Sequence, residues 1–525
     1  MTVRDRSVAV IGNGPVGQTT ALLLARWGIP VVLLDGRPAR DPVGSKAICQ
    51  QRDVLDVWES VGAGRRIADE GVTWSTARTF HRDTELFALT LQDAGTSVFP
   101  PFVNISQSRV EEILDEKIAE QPLIDVRWGH RVTRIEQDAD AVRLVTDTGA
   151  SVVADYAVAC TGAHCEDLRR SLGVRFEGHS FDDRFLICDI RADLPGWARE
   201  RRFWFDPVWN PGRQVLIHPC PDSTFRIDWQ VPGDYDLAEE ERSGALHERV
   251  RAIVGEADYE ILWKSVYRFH SRVADRLRVG RVLLAGDCAH LMSPFGARGL
   301  NSGVADAENA AWKLAYVLRG WADESLLDTY HAERHAAAVE NLDVTTATMN
   351  FLVPHNAEQR ALRESVLVGA ATDPALRARV DSGRFSEPFW YVDSPLTTPD
   401  VTRPFAGRPP RGQVPPPGPG ILVPDVPVSA PGATRLRELL RDGFCVLAAR
   451  DAELPDVSSV PWPVRVVSLP KLDPDGVVSD TLGMRRGELW LVRPDAYTAA
   501  VVTETTSLLE AMRRAVGGAP TPASV

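Results

Sequence analysis

Two glycine-rich turns carry most of the chemistry legible in this chain. The first is Gly12-Asn13-Gly14-Pro15-Val16-Gly17, set between an apolar run, Ser7 to Ile11, and an Ala- and Leu-rich stretch from Thr19 to Trp27 that Gly28 stops. A second apolar run, Val31 to Leu34, ends in Asp35, with Gly36 and Arg37 behind it. Glycines at these spacings have separate uses: Gly12 permits a tight turn, Gly14 lets backbone approach a pyrophosphate, and Gly17 lets helix and strand pack closely. Pro15 and Val16 open the helix, whose unpaired N–H groups and partial positive charge suit phosphate. Asp35 is placed to accept from a ribose hydroxyl. Strand, turn, helix, strand and terminal acid together specify dinucleotide binding, and the motif alone leaves NAD and FAD both open.

The second turn follows Val282 to Ala285, a short apolar run that delivers Gly286-Asp287. A glycine-rich loop, Gly296 to Gly303, then feeds a segment whose apolar positions Val304, Ala307, Ala311, Leu314 and Leu318 share one helical face. This second helix N-terminus suits an anion such as the N1–C2=O edge of a reduced flavin. Here the chain resembles the flavin-dependent aromatic hydroxylases, the single-component FAD monooxygenases related to p-hydroxybenzoate hydroxylase and to the three-domain phenol hydroxylases. Gly286-Asp287 with Pro294 matches the family's G-D-x6-P motif, and Asn301 to Leu314 matches its helical tail. The resemblance implies Gly286 and Asp287 at the FAD ribityl chain, Pro294, Gly296 and Gly299 beside the isoalloxazine, and Leu300 and Asn301 at its pyrimidine edge. It also implies flavin contacts from Lys46 and Ala47, which precede Arg52, and from Gln107 in Asn104-Ile105-Ser106-Gln107. Tyr330 to Arg334 resembles the family's closing Y-x-x-E-R stretch, and Leu491 to Tyr497 the ending of its larger members.

Two positions depart from the family. Thr161-Gly162 stands where an Asp-Gly pair is usual, which removes a carboxylate assigned to both FAD and pyridine-nucleotide contact. Gly296-Ala297-Arg298-Gly299 replaces the usual Gly-Gln-Gly, placing Arg298 either as an electrostatic stabiliser of charge on the flavin or in an ion pair with a neighbouring loop.

Between Phe181 and Tyr267 the patterning changes to strands at Phe185–Ile190, Arg202–Phe205, Val215–His218 and Phe225–Val231. A period of two puts Arg226, Asp228 and Gln230 on one face and Phe225, Ile227 and Trp229 on the other, and His218 joins the polar face if the hairpin register permits. Trp204, from a tryptophan-rich stretch, Arg226, Gln230 and Pro294 are therefore the candidate substrate contacts, the alternative being an Arg226–Asp228 pair on a solvated sheet face. Deprotonating a phenol with a pKa of about 10 takes a base tuned near neutrality, so His218 and Tyr267, with His270 behind them, are the candidate proton-handling groups.

These residues need scaffolding, and a length of 525 residues supplies several domains at roughly 100–200 residues each. The expected class is α/β: a Rossmann-type FAD-binding domain from 1–180 and 271–400 with a closing helical segment, and an inserted β-sheet substrate domain at 181–270. A Pro/Gly-rich linker at 401–420 then leads to a small α/β unit at 421–525, which the resemblance makes thioredoxin-like, here without any C-x-x-C. Seven scattered cysteines fit a reducing cytoplasm with most thiols as packing residues. A net charge of −13 with no basic run argues against nucleic acid or an anionic membrane as partner, and no apolar stretch is long enough for a membrane span. The Ala-, Arg-, Asp- and Pro-rich composition matches a GC-rich bacterial genome. By resemblance the chain is an FAD-dependent monooxygenase that consumes O2 and a transiently bound NADPH or NADH to hydroxylate a phenolic substrate through a flavin C4a-hydroperoxide. Baeyer–Villiger oxidation or epoxidation on the same fold, a catalytically silent FAD protein, and a homodimeric state remain open at this level.

Overall fold

The computed structural model describes residues 7–41, 47–91, 97–410, 413–430 and 432–518. Lys46, one of the expected flavin contacts, lies outside them. The apolar run Val8–Ile11 is a fully buried strand with parallel neighbours on both sides, Val8 standing opposite Val31 and Tyr156. Ile124–Arg127 extends this sheet in parallel beyond Val31–Leu34; Val282–Leu284 extends it beyond Tyr156–Ala159, and Arg278–Val279 closes that edge antiparallel. Short runs of Val, Ile, Leu and Ala are what strands covered on both faces require. The Pro15–Arg26 helix follows the central strand at once, with proline in its first turn, where no backbone donor is lost. It packs against the long Arg298–Leu318 helix, itself buried along nearly its whole length.

A second sheet has eight strands. Its spine is the long antiparallel pair Phe176–Ala192 and Tyr259–Ala274, followed by Thr224–Val231, Gln214–Cys220 and Glu200–Phe205. The far edge is the hairpin Thr76–His81/Thr84–Thr90, which joins in parallel through Glu200–Phe205. The sheet thus reaches past 181–270 at both ends and recruits a hairpin from within 1–180. The parallel partner of Thr76–His81 lies more than a hundred residues away, so local patterning carries no trace of the pairing. On one face Leu186, Ile190, Ile217, Ile227 and Trp229 are closed off by Leu246, Val250 and Val254 of the Ala245–Val254 helix. The opposite face carries Phe185, Phe203, Phe205, Leu216 and Phe269, packed against Phe295 and against Met349 and Leu352 of the Asp328–Leu352 helix.

The C-terminal unit holds a four-stranded mixed sheet ordered Val464–Ser468, Phe444–Ala448, Leu489–Val492, Thr498–Val502, the first pair parallel and the others antiparallel. Thr505–Ala515 closes it as a helix. The unit docks through buried charge. Arg493 donates to Asp495 and to Glu333, and Glu333 also accepts from Lys313 Nζ at 2.6 Å, from Asn309 Nδ2 at 2.7 Å and from Ser394 Oγ at 2.6 Å. Arg441 bridges Asp56 and Glu308 at 2.6 and 2.8 Å, and Arg437 reaches Asp53. No helix among the described residues is long and apolar enough to cross a membrane.

One covalent link departs from the reading of the cysteines as packing thiols. Cys165 and Cys288 form a disulfide with Cα atoms 5.5 Å apart, while Cys49, Cys160, Cys188 and Cys445 are buried free thiols and Cys220 is half-buried. The pair lies 123 residues apart in sequence, which is why spacing gave no hint of it.

Candidate active site

A cavity of about 780 Å³ opens between the two large sheets, a size ordinary for a small-molecule or cofactor site, for which about 300–1,000 Å³ is typical. The parallel sheet contributes Gly12, Gly14, Pro15, Val16, Asp35, Gly36 and Arg37 to its wall. Ala47, Gln107, Asp287 and the loop residues Pro294, Gly296, Arg298, Gly299 and Leu300 continue it. The eight-stranded sheet supplies the remainder, including Arg201, His218, Arg226, Asp228 and Tyr267.

The first glycine turn has the geometry its spacing demands. Gly12 takes a left-handed φ of +109°, and a Cβ there would lie 2.4 Å from the Cys160 carbonyl oxygen. At Gly17 a Cβ would lie 1.8 Å from the Gly12 carbonyl oxygen, so this position sets the approach of helix to strand and does not itself line the cavity. Gly14 is different: a Cβ would meet nothing within 4 Å, because the space beside it is cavity. No side chain caps the helix at Gly14, nor the second helix at Ala297, and Asn13 Nδ2 is buried without a partner in the same turn. Two uncapped helix N-termini at one cavity fit a ligand with anionic groups, as a flavin dinucleotide has. Asp35 accepts from the backbone N–H of Asn13 and Arg37, at 2.8 Å each, and from the Arg37 guanidinium at 2.9 Å. Burial opposes the charge of Asp35, but these hydrogen bonds hold its pKa below the usual carboxylate value.

The second turn is held from behind. Gly286 donates its N–H to Asp306 at 2.9 Å, and Asp306 also accepts from His290 Nε2 at 2.7 Å and Arg334 Nε at 2.6 Å. Burial opposes ionisation of Asp306, yet His290 and Arg334 hold its carboxyl down to about 2. The turn at Gly286 therefore presents Asp287, exposed, to the cavity, while Gly286 itself stays behind the wall. The Tyr330–Arg334 stretch serves the same scaffold, with Tyr330 Oη donating to the Leu284 carbonyl at 2.7 Å.

Three expected contacts also have partners within the protein. Arg298 borders the cavity, but its guanidinium donates to the Arg384 and Phe385 carbonyls, at 3.2 and 2.9 Å, and to Asn341. A Cβ at Gly296 would lie 2.0 Å from the Arg384 carbonyl, so the 384–386 segment packs directly on this loop and Arg298 is its clasp. Burial lowers the Arg298 pKa to about 10. The Asn301 side chain does not line the cavity; its Oδ1 accepts from Gln51 N and its Nδ2 donates to Cys49 O, both at 3.0 Å, tying the helix to the Cys49–Gln51 strand. Gln107 lines the cavity and also accepts from Ala47 N at 3.1 Å.

The eight-stranded sheet sorts the substrate candidates. Its register places His218 directly opposite Arg226, so His218 does join the polar face. Tyr267 lines the cavity from the neighbouring spine strand. Gln230 shares that face but lies beyond the cavity, its amide donating to Asp183 and its Oε1 accepting from Gln214 N at 3.3 Å. Trp204 points to the opposite face, stacked 4.8 Å from Phe80 in the cluster under the Ala245–Val254 helix, and none of the five tryptophans at 197–263 lines the cavity. His270 is bound to Ser180 Oγ at 2.7 Å, away from the cavity wall. The aromatic wall consists instead of Phe185, Phe269, Phe295 and Phe385, with Phe185 and Phe269 stacked at 4.4 Å. Arg226 pairs with Asp189 through two hydrogen bonds of 2.7 and 2.8 Å, not with Asp228. Sequence reading missed Arg201 and the phenylalanines; alternation did place Phe185 on the face opposite Leu186, and only the three-dimensional fold tells which face meets the cavity.

A doubly covered parallel sheet, a cavity edged by two uncapped helix N-termini and an aromatic-walled sheet facing them define an FAD-binding oxidoreductase. Residues 5–345 match the model of the FAD binding domain family, and residues 416–520 match that of the aromatic-ring hydroxylase C-terminal domain. The chain belongs to this FAD-binding family and is an enzyme of the aromatic hydroxylase type. It is 29% identical over 445 residues to a 3-(3-hydroxy-phenyl)propionate/3-hydroxycinnamic acid hydroxylase of Mycobacterium sp. (strain JLS), covering 84% of this chain and 76% of that protein. It is 29% identical over 384 residues to para-nitrophenol 4-monooxygenase of Pseudomonas sp. (strain WBC-3), covering 70% of this chain and 93% of that one. Among solved structures, the flavin-dependent monooxygenase PieE superposes with a TM-score of 0.84 at 22% identity, over 99% of this chain and 100% of the other, a likeness of fold.

Proposed function

We propose that this enzyme uses FAD, NAD(P)H and O2 to hydroxylate a phenolic aromatic compound. The observation that carries the reading is the single cavity in which an anion-binding, glycine-edged wall faces phenylalanines interrupted by buried polar groups. FAD, once bound and reduced, supplies an electrophilic oxygen atom derived from O2. The chain's own residues do the rest. Gly14 and Val16 offer backbone N–H groups to the phosphates where Pro15 sets the first helical turn, Asp35 and Arg37 lie where the adenosine ribose is expected, and Asp287 reaches the ribityl hydroxyls. Phe185, Phe269 and Phe295 present edges and faces to a flat ring and keep water from it. His218, Arg226, Asp228 and Tyr267 form the polar side that orients a hydroxyl. Relatives that act on 3-(3-hydroxyphenyl)propionate and on 4-nitrophenol support a phenol as the substrate class. NAD(P)H is an intracellular reductant, so the reaction belongs in the cytoplasm.

The test is NAD(P)H consumption by the FAD-loaded protein with and without a panel of phenols, hydrogen peroxide being measured in parallel. Strong stimulation by one phenol with little peroxide is the expected result; no stimulation by any phenol, with FAD bound, overturns the reading in favour of ketone oxidation or a silent flavoprotein. Asp287→Ala is expected to weaken FAD retention by roughly ten-fold or more, since hydrogen bonds to a charged group contribute about 1.5–3 kcal/mol. Flavin affinity measured by fluorescence quenching decides it, and an unchanged Kd removes Asp287 from the cofactor site.

A further inference from the structure

His218 and Asp228 both line this cavity half-buried, and each also carries a buried polar atom, Nδ1 of His218 and Oδ1 of Asp228, with no hydrogen-bond partner among the described residues. Buried polar atoms in folded proteins are nearly always satisfied, and here the two under-satisfied side chains are also neighbours on the wall of the cavity. The strand register makes the pair specific. His218 is opposite Arg226 and Asp228 is opposite Leu216, so the two stand diagonally on one face, a relation that separates Cα atoms by about 7–8 Å. That gap accommodates one hydroxyl oxygen bonded to both. Arg226, the neighbour whose charge would otherwise claim Asp228, is engaged by both oxygens of Asp189.

We propose that Asp228 is the base that takes the phenolic proton of the substrate, with His218 as the second hydrogen-bond partner of the same oxygen; this rests on the phenol reading above. The substrate O–H bond breaks and an O–H bond forms on Asp228, while the bonding pair stays on the phenolic oxygen and enriches the ring that must receive an electrophilic oxygen. The same proton returns from Asp228 to that oxygen in the product. The environment suits the exchange. Burial raises the Asp228 carboxyl to about 7 against the pull of Arg226, and His218, desolvated and facing Arg201 and Arg226, is held well below its ordinary value and stays neutral. The charged and titratable groups facing Asp228 are Arg226 on its own strand, Asp189 on one neighbouring strand, His218 and Cys220 on the other, and Arg201 one strand further, with Cys188 close by on the opposite face of the sheet. A carboxyl near 7 is ionised, and able to accept, only on the alkaline side of that value.

The test uses FAD-loaded wild type, D228N and D228E near pH 8, with 3-(3-hydroxyphenyl)propionate and unsubstituted phenol as probes whose phenolic hydroxyl is un-ionised when free. Ultraviolet difference spectra report phenolate, and calorimetry in buffers of different ionisation heat reports protons released. Wild type is expected to bind a probe as phenolate with no net proton release. D228N is expected either to bind it un-ionised or to release about one proton per site, and D228E to restore the wild-type balance. D228N behaving as wild type overturns the assignment to Asp228 alone. Failure of wild type to bind either probe overturns the phenol reading itself.

Discussion

Gly17→Ala is expected to leave the chain with little bound FAD. The added methyl would stand 1.8 Å from the Gly12 carbonyl oxygen and 3.0 Å from its carbon, both backbone atoms of the turn that must receive the phosphates. The helix cannot rotate the methyl away, because Gly17 sits in the first turn of a helix packed against the long Arg298–Leu318 helix. Either the helix lifts from the strand or the turn opens, and such overpacking costs about 1–3 kcal/mol. Flavin affinity should therefore fall roughly ten- to hundred-fold, at about 1.4 kcal/mol for each factor of ten. Gly14→Ala is the informative companion, since its methyl meets no protein atom within 4 Å. That variant should keep the Tm of the apoprotein and still lose FAD, because the methyl takes up cavity space. Wild-type flavin retention by Gly17→Ala would falsify the packing argument.

Glu333→Ala should be the most destabilising single substitution in the buried charge network. It leaves Lys313 and Arg493 buried without their shared carboxylate, with Asp495 the remaining partner of Arg493. Breaking a buried pair in this way costs about 3–5 kcal/mol, a large share of the roughly 5–15 kcal/mol that holds most domains together. Denaturant unfolding measures it, and a loss below 1 kcal/mol would show that water or side-chain rearrangement compensates for the missing group. The pH dependence has a definite sign. Burial opposes the Glu333 charge, but Arg493 and Lys313 hold its carboxyl far below the ordinary value. Its contribution to stability is therefore complete above the unfolded carboxylate value and is lost only as pH falls toward the folded one.

What the sequence revealed divides along a physical line. Interactions carried by near neighbours were readable: the two glycine turns, the helix that follows each, and the alternation that put Arg226 and Asp228 on one face. The likeness to known hydroxylases added the cofactor class, which spacing alone left open between NAD and FAD. What failed depended on distant partners. Arg226 and Asp228 share a strand face, yet Arg226 turns to Asp189 on the next strand. Trp204 looked like a pocket residue by type, but a helix starting forty residues later decides which face is covered. Arg298 borders the cavity, as expected, but the carbonyls that hold its guanidinium belong to a segment that had no pattern of its own. The Cys165–Cys288 link and the hairpin at 76–90 belong to the same class of long-range facts.

The Glu333 cluster also bears on how such a protein can change over time. The helix that presents Asp306 to the Gly286 turn carries Asn309 and Lys313 a turn or two further on, and these hold the carboxylate that Arg493 clasps. The relative from Pseudomonas sp. (strain WBC-3) matches this chain over 93% of its own length and only 70% of this one, so a related core exists in a shorter form. Exchanging tails between family members is therefore a transplant in which Lys313, Glu333 and Arg493 must travel as one set. A graft that keeps the core but brings an unmatched tail would bury unpaired charges along the same helix that supports the flavin turn.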